Sequence, residues 1–190
     1  FLFNIGISRV DKAILQKSGK LTHEELLTIR KYSLYSSNII KSFTEPPKYL
    51  DRIIPQITEA CDGSSFPRGF TRFQIHPFAR IISAANTYCA MIAKRSYRDA
   101  KIPAMALEET LHFGQKNVLD IRVTQALYTV LGKIPIGSWI ETQTGERAQI
   151  VIPVYGNESP KIQYLSVKKE LITEDLETTQ KEFRLVSSLS

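Results

Sequence analysis

The side chains equipped for chemistry are few and scattered. The densest set is Lys94-Arg95-Ser96-Tyr97-Arg98, and Arg68 adds a cation within the loop Asp62-Gly63-Ser64-Ser65-Phe66-Pro67-Arg68-Gly69. A guanidinium presents a planar fork that matches phosphate oxygens and the guanine edge. Arg68, Lys94, Arg95 and Arg98 are therefore the candidate nucleotide-binding residues; the plainer alternative is a solvated surface, or ion pairs with Asp99 and Glu108. Glu59 and Asp62 are the acids beside the loop. A general base needs a nucleophile or water to act on, and no His or Lys accompanies them. Asp62 is expected instead to hold amides of its own glycine-containing loop. His23, His76 and His112 stand apart and suit capping or solvated roles. Cys61 and Cys89 are expected to be buried apolar thiols. Arg80 lies in an apolar stretch where a lone charge is costly, so it needs a partner, with Glu59 or Asp62 the candidates.

Helices must position these groups. Thr22 with Glu25 three residues on has capping-box spacing, and Leu26, Ile29, Ile39 and Ile40 continue a helical pattern up to Pro46-Pro47. A second helix is predicted within 49–60. A third spans 79–93, nearly uncharged after Arg80 and expected in the core. Others follow over 103–113, with Pro103 in the first turn, and over 120–131, ending at Gly132. Beyond it the pattern alternates. Ser138 to Thr142 and Ala148 to Val154, bounded by Pro153, read as strands around a turn at Thr144-Gly145-Glu146, and Ile162 with Tyr164 marks a third. Trp139 and Ile140 read as packing residues. The expected fold is mainly α, a helical bundle over 1–132 with a small antiparallel β unit over 133–167 packed on it. The charged tail over 168–190 reads as a loose helix or disordered.

The chain of 190 residues carries 25 Lys plus Arg against 19 Asp plus Glu, a formal charge of +6. That balance permits phosphate contacts, but the cations are too dispersed for a polymeric nucleic-acid surface. No apolar run reaches the ~20 residues of a membrane span. Two cysteines cannot frame a disulfide scaffold and suit a reducing, cytoplasmic setting. Because the chain opens on Phe1, further helices or domains are expected upstream.

Glu59 to Gly69 resembles the signature loop of the HD-GYP domains, bacterial cyclic di-GMP phosphodiesterases in which two histidines and a glutamate precede D-G-x-G-Y-P. Ile75-His76-Pro77-Phe78-Ala79-Arg80-Ile81-Ile82 is similar to the family's I-P-x-x-A-R-I helix entry, and Arg95-Ser96-Tyr97-Arg98 to its R-P-Y-R turn. Ile5-Gly6 and Ile14 to Leu21 match its opening segment, and Pro135-Ile136-Gly137-Ser138 with Thr144-Gly145-Glu146 match an extension that often follows it. The resemblance spans about residues 1 to 165 and implies an HD-type helical bundle.

Family members hold two or three metals with His and Asp. The resemblance places Phe3 and Asn4 at the H-D pair, Tyr32 at the next histidine, Ile57 and Thr58 at the histidine pair, and Asn86 at the helix aspartate. The family's lysine falls on Ile7. Of the GYP triplet only Pro67 survives, with Ser65 and Phe66 replacing its first two residues; Asp62 and Gly63 keep the start of the loop. Phe and Ile cannot coordinate metal, and neutral Asn and Thr are weak donors. The resemblance thus implies a catalytically inactive domain with no metal and no cofactor, acting as a regulatory or interaction module with other signalling proteins. A sensor that holds cyclic di-GMP through Arg68, Arg95 and Arg98 without cutting it stays open, as does a residual phosphodiesterase.

Overall fold

Thr22 accepts a hydrogen bond from Glu25 N at 3.2 Å while the Glu25 carboxylate accepts from Thr22 N at 2.7 Å. This reciprocal box starts a helix at His23, as its spacing predicts. The computed structural model describes residues 2–46, 48–65, 67–96, 98–142, 145, 147–152, 161–165, 171–175 and 183–186. Phe1, Pro47, Phe66, Tyr97, Thr144, Glu146, Pro153 and most of the tail lie outside the described residues.

The chain opens on a 3-10 helix (Leu2–Arg9), followed by α1 (Lys12–Leu15), α2 (His23–Arg30), α3 (Tyr32–Lys41) and α4 (Leu50–Gln56). Then come α5 (Pro77–Ile92), α6 (Pro103–Gln115) and α7 (Ile121–Leu131). The expected first long helix is two, because the backbone turns at Lys31 and restarts without a side-chain cap. His76 caps α5 by accepting from Phe78 N at 3.2 Å. Asp120 caps α7 by accepting from Arg122 N at 3.0 Å, and Gly132 closes that helix with φ 73°.

Two apolar clusters hold the helices. Ile40, Ile53, Ile54, Ile57, Cys61, Ile75 and Ala79 form one, with Phe3 packed against it. Tyr88, Met91, Ala106 and Leu107 form the other, with Leu127 and Leu131 from α7. α5 serves both but is not enveloped. Phe78 and Ile81 are 60% and 50% exposed, so the expected core helix has an open outer side. Cys89 on the same helix is exposed, against the expectation of burial, whereas Cys61 is buried.

The β unit is larger than expected. Its five strands, β1 (Trp139–Thr142), β2 (Arg147–Ile152), β3 (Lys161–Leu165), β4 (Leu171–Asp175) and β5 (Phe183–Val186), pair antiparallel in the order β4-β3-β2-β1-β5. β4 and β5 come from the stretch read as a loose or disordered tail. Ladder pairing overrides their charged composition: β4 registers Asp175 against Lys161, and β5 registers Leu185 against Ile140. Ile140, Ala148 and Ile150 are buried there, with Ile134 and Leu185 against them, so among the described residues the cluster draws on its own segment. Of the two extra strands, β5 adds Leu185 to that cluster.

Candidate functional site

α3 turns a row of serines inward. Ser33 and Ser36 are fully buried and Ser37 nearly so. Each hydroxyl must find a partner in the low-dielectric interior, and each does. Ser36 Oγ donates to Phe3 O at 2.7 Å and accepts from Gly6 N at 2.8 Å, a relay that ties the 3-10 helix to α3. Ser33 Oγ lies 3.2 Å from Thr58 Oγ1, and Ser37 Oγ donates to Asp51 O at 3.3 Å. Small hydroxyls let the backbones approach closely, and Gly6 completes the contact.

Tyr32, first residue of α3, is buried and shares a hydrogen bond with Asn86 of α5. Burial pushes its hydroxyl above the usual tyrosine range, while the Arg95 charge and the Asn86 bond pull the other way. Tyr32 is thereby brought to Asn86, and Thr58 to Ser33. Phe3 and Ile57 pack into the first apolar cluster. These side chains offer a phenol, an amide, a hydroxyl and hydrocarbon, a donor set that does not fit a transition-metal centre. Among the described residues, no three His, Cys, Asp or Glu side chains converge as a metal site requires.

The loop after α4 is built around Glu59. This carboxylate is 4% exposed and accepts from Arg68 N at 2.7 Å, Gly69 N at 3.0 Å and Phe70 N at 3.3 Å. Asp62 accepts from Ser64 N at 2.9 Å and Ser64 Oγ at 2.6 Å, the own-loop role expected of it, and these bonds hold its carboxyl below the usual range. Gly63 and Gly69 meet across the loop with φ 79° and 64°. Glu59 thus works as a buried clamp on backbone amides. Glu59→Gln turns an amide NH2 toward those donors and is expected to cost about 2–4 kcal/mol in urea unfolding; a loss under about 0.5 kcal/mol would refute the clamp.

Arg80 pairs with neither Glu59 nor Asp62. Its partner is Asp120, which also accepts from Arg72 Nε at 3.0 Å. The residue 40 positions downstream was invisible to local pattern, although the helix predicted over 120–131 begins on it. Burial pushes the Asp120 carboxyl up, but hydrogen bonds from Arg72, Arg122 N and Arg80 outweigh it and hold the group below the usual carboxylate range. Burial likewise raises the nearby Cys61 thiol, which favours the inert protonated form.

The candidate cations fall at two places. Arg68 lies on the Glu59 loop with its guanidinium 5.4 Å from the Phe70 ring centroid. Lys94, Arg95 and Arg98 occupy an exposed turn closed by Arg95 N to Arg98 O at 2.9 Å. Ser96 Oγ donates to Leu15 O at 3.1 Å, docking this turn on the end of α1. Arg98 Nη2 donates to Ala90 O at 2.7 Å, a contact with the last carbonyls of α5. Among the described residues none of the four is in an ion pair, so Asp99 and Glu108 do not neutralise them.

Known proteins resemble this chain in sequence and fold. A family model described as an HD domain matches residues 1–123. The chain is 34% identical over 137 residues to the 3'3'-cGAMP-specific phosphodiesterase 3 of Vibrio cholerae, covering 70% of this chain and 29% of that protein. It is 27% identical over 150 residues to the cyclic di-GMP phosphodiesterase PdeB of Borreliella burgdorferi, covering 79% and 39%. The chain therefore spans about a third of the length of these relatives. Among solved structures, the HDG"Y"P protein Bd1817 of Bdellovibrio bacteriovorus superposes with a TM-score of 0.53 at 19% identity, over 68% of this chain and 40% of that one, which shows a shared fold. With the match running from the 3-10 helix to the start of α7, the chain belongs to the HD domain family and carries an HD-GYP-like domain.

Proposed function

We propose that this chain is a catalytically inactive HD-GYP-like module that regulates or docks signalling proteins in bacterial cyclic-dinucleotide signalling, in the cytoplasm. One observation carries the reading: the positions where relatives would need metal ligands are occupied by mutually satisfied or packed groups, Tyr32 on Asn86, Thr58 on Ser33, and Phe3 and Ile57 in the core. A dinuclear hydrolase needs imidazole or carboxylate to hold the ions that activate water, and Phe3, Asn4, Tyr32, Ile57, Thr58 and Asn86 supply neither. We further propose a division near Gly132, with a small β extension over 133–167 packed on the helical domain; a cluster of its own around Ile140 supports the division. Metal analysis after incubation with Mn²⁺ or Fe²⁺ and dialysis is expected to find below about 0.1 equivalent bound. No hydrolysis of cyclic di-GMP or 3'3'-cGAMP is expected. Stoichiometric metal with chelator-sensitive turnover would overturn the proposal and make the chain a residual phosphodiesterase.

A second reading rests on a different observation. Arg95 lies near enough to Tyr32 for its charge to act on the phenol, and neither it nor Lys94, Arg98 or Arg68 is neutralised by an acid among the described residues. Such cations suit a bound cyclic dinucleotide that is not cut. Calorimetric titration of cyclic di-GMP without metal tests it. Saturable one-site binding lost in the Arg95→Ala, Arg98→Ala double variant supports the sensor, and no heat in the parent ends it.

A further inference from the structure

Tyr32, the serine row and Ile40 take up the buried side of α3, and its opposite side faces a second space. There Tyr35, Asn38, Ile39 and Ser42, at i, i+3, i+4 and i+7, share one stripe of the helix. With Arg9 from the end of the 3-10 helix they line a cavity of about 570 Å³. Tyr35 and Ile39 are half-buried, and Arg9, Asn38 and Ser42 are exposed. No carboxylate lines the cavity. Among the described residues Arg9 is in no ion pair, and the side chains of Arg9, Tyr35 and Asn38 make no hydrogen bond. Ser42 Oγ already donates its proton to Ile39 O at 2.6 Å, which leaves it only lone pairs to offer.

We propose that this cavity binds a small zwitterion with an apolar body, the chemistry that a free α-amino acid and a dipeptide share. The site goes beyond the proposed regulatory module and lies apart from its vestigial ligand positions. Donors and acceptors select the ligand class. Arg9 offers N–H groups and no acceptor, in the fork that fits a carboxylate. Ser42 offers lone pairs at the C-cap of α3, where the helix carries its negative partial charge. A carboxylate therefore meets Arg9 and an ammonium meets the Ser42 end, while the Asn38 amide, donor and acceptor at once, serves either. Ile39 and the Tyr35 ring supply an apolar wall for the side chain. Other classes match less well. A phosphate dianion satisfies Arg9 but is repelled at the helix C-terminus. A metal cation is repelled by Arg9 and finds no carboxylate. A ligand touching both Arg9 and α3 would also tie the 3-10 helix to α3, beside the Gly6–Ser36 contact.

The test is a heteronuclear NMR titration of the intact chain with L-leucine and with L-leucyl-L-leucine. N-acetyl-L-leucine, isopentylamine and orthophosphate serve as comparisons. Saturable one-site shifts centred on Arg9 and the 35–42 stretch are expected for at least one zwitterion, and the tighter of the two assigns the source. Removing either charge from the ligand should weaken binding at least about tenfold, and so should Arg9→Gln. Arg9 is exposed, so Arg9→Gln is expected to leave the urea midpoint unchanged. Asn38→Leu, at a second exposed position, should weaken binding as well and keeps the test open if Arg9→Gln misfolds. No saturation by either zwitterion below about 10 mM would overturn the proposal. Full affinity in both variants would do the same. So would N-acetyl-L-leucine binding as tightly as L-leucine, or displacement of the zwitterion by orthophosphate, either of which would leave an anion site only. The titrations contain no metal and no cyclic dinucleotide, so their outcome does not depend on whether the vestigial positions are inactive.

Discussion

Asp120→Ala is expected to be the most damaging single truncation in the helical domain, at about 3–5 kcal/mol in urea unfolding. The carboxylate is 2% exposed and serves three donors: Arg72 Nε, Arg80 Nη1 and, as helix cap, Arg122 N. Its removal strands two half-buried guanidinium groups, and Arg80 Nε already lacks a hydrogen-bond partner among the described residues. Asp120→Asn separates the contributions. Its amide oxygen can still cap α7, so a loss smaller by about 1 kcal/mol than that of Ala is expected. The pH dependence follows from the same bonds. Because the folded pKa is depressed, the stability contributed by Asp120 is fully present above its unfolded value of about 3.9 and is lost as pH falls below that through the folded pKa. Acid unfolding of the parent should therefore steepen below about pH 4, and Asp120→Asn should flatten that limb. Identical acid limbs for the two proteins would rule out this role.

What was legible in the residues was whatever they settle locally. The Thr22–Glu25 box, the Asp62–Ser64 turn and the Gly132 stop each involve groups within four positions of one another, and all three form. Contacts made across the fold were not legible. Arg80 needed a partner, which the cost of a lone charge makes predictable, but nothing in the pattern distinguished Glu59 or Asp62 from Asp120. Glu59 instead satisfies three amides of the loop that follows it. The tail failed for a related reason. Strand pairing is decided by the neighbour: β5 exists because β1 offers it an open edge, and its own charged, serine-flanked composition carries no sign of that edge. At the six positions that the resemblance assigns to metal ligands, the residues themselves show only that imidazole and carboxylate are missing. The serines that fill the space between α3, the 3-10 helix and Thr58 carried no motif, since a buried serine and a surface serine look alike until the backbone around them is known.

Those serines make Gly6 the second position where a small change should have a large effect. A Cβ on Gly6 would lie 2.2 Å from Tyr32 O, 2.4 Å from Ser36 N and 2.7 Å from Ser36 Oγ. Two of these atoms are backbone of α3 and cannot rotate away, so the 3-10 helix itself must lift. Lifting breaks the Gly6 N to Ser36 Oγ to Phe3 O relay and withdraws Phe3 from the apolar cluster. Gly6→Ala is therefore expected to cost about 3 kcal/mol, at the upper end for overpacking, and to speed hydrogen exchange over residues 2–9 and in the first turn of α3. Ser36→Ala should cost less, about 1–2 kcal/mol, because it removes the relay hydroxyl without forcing the backbones apart. It should also fail to rescue Gly6→Ala, since the clash with Tyr32 O and Ser36 N remains. Rescue by Ser36→Ala would show instead that the hydroxyl, and not the backbone, limits the approach. The distinction bears on the proposed function, because Phe3 and Asn4 ride on this 3-10 helix and Tyr32 sits under it, so the close contact at Gly6 sets these positions against one another.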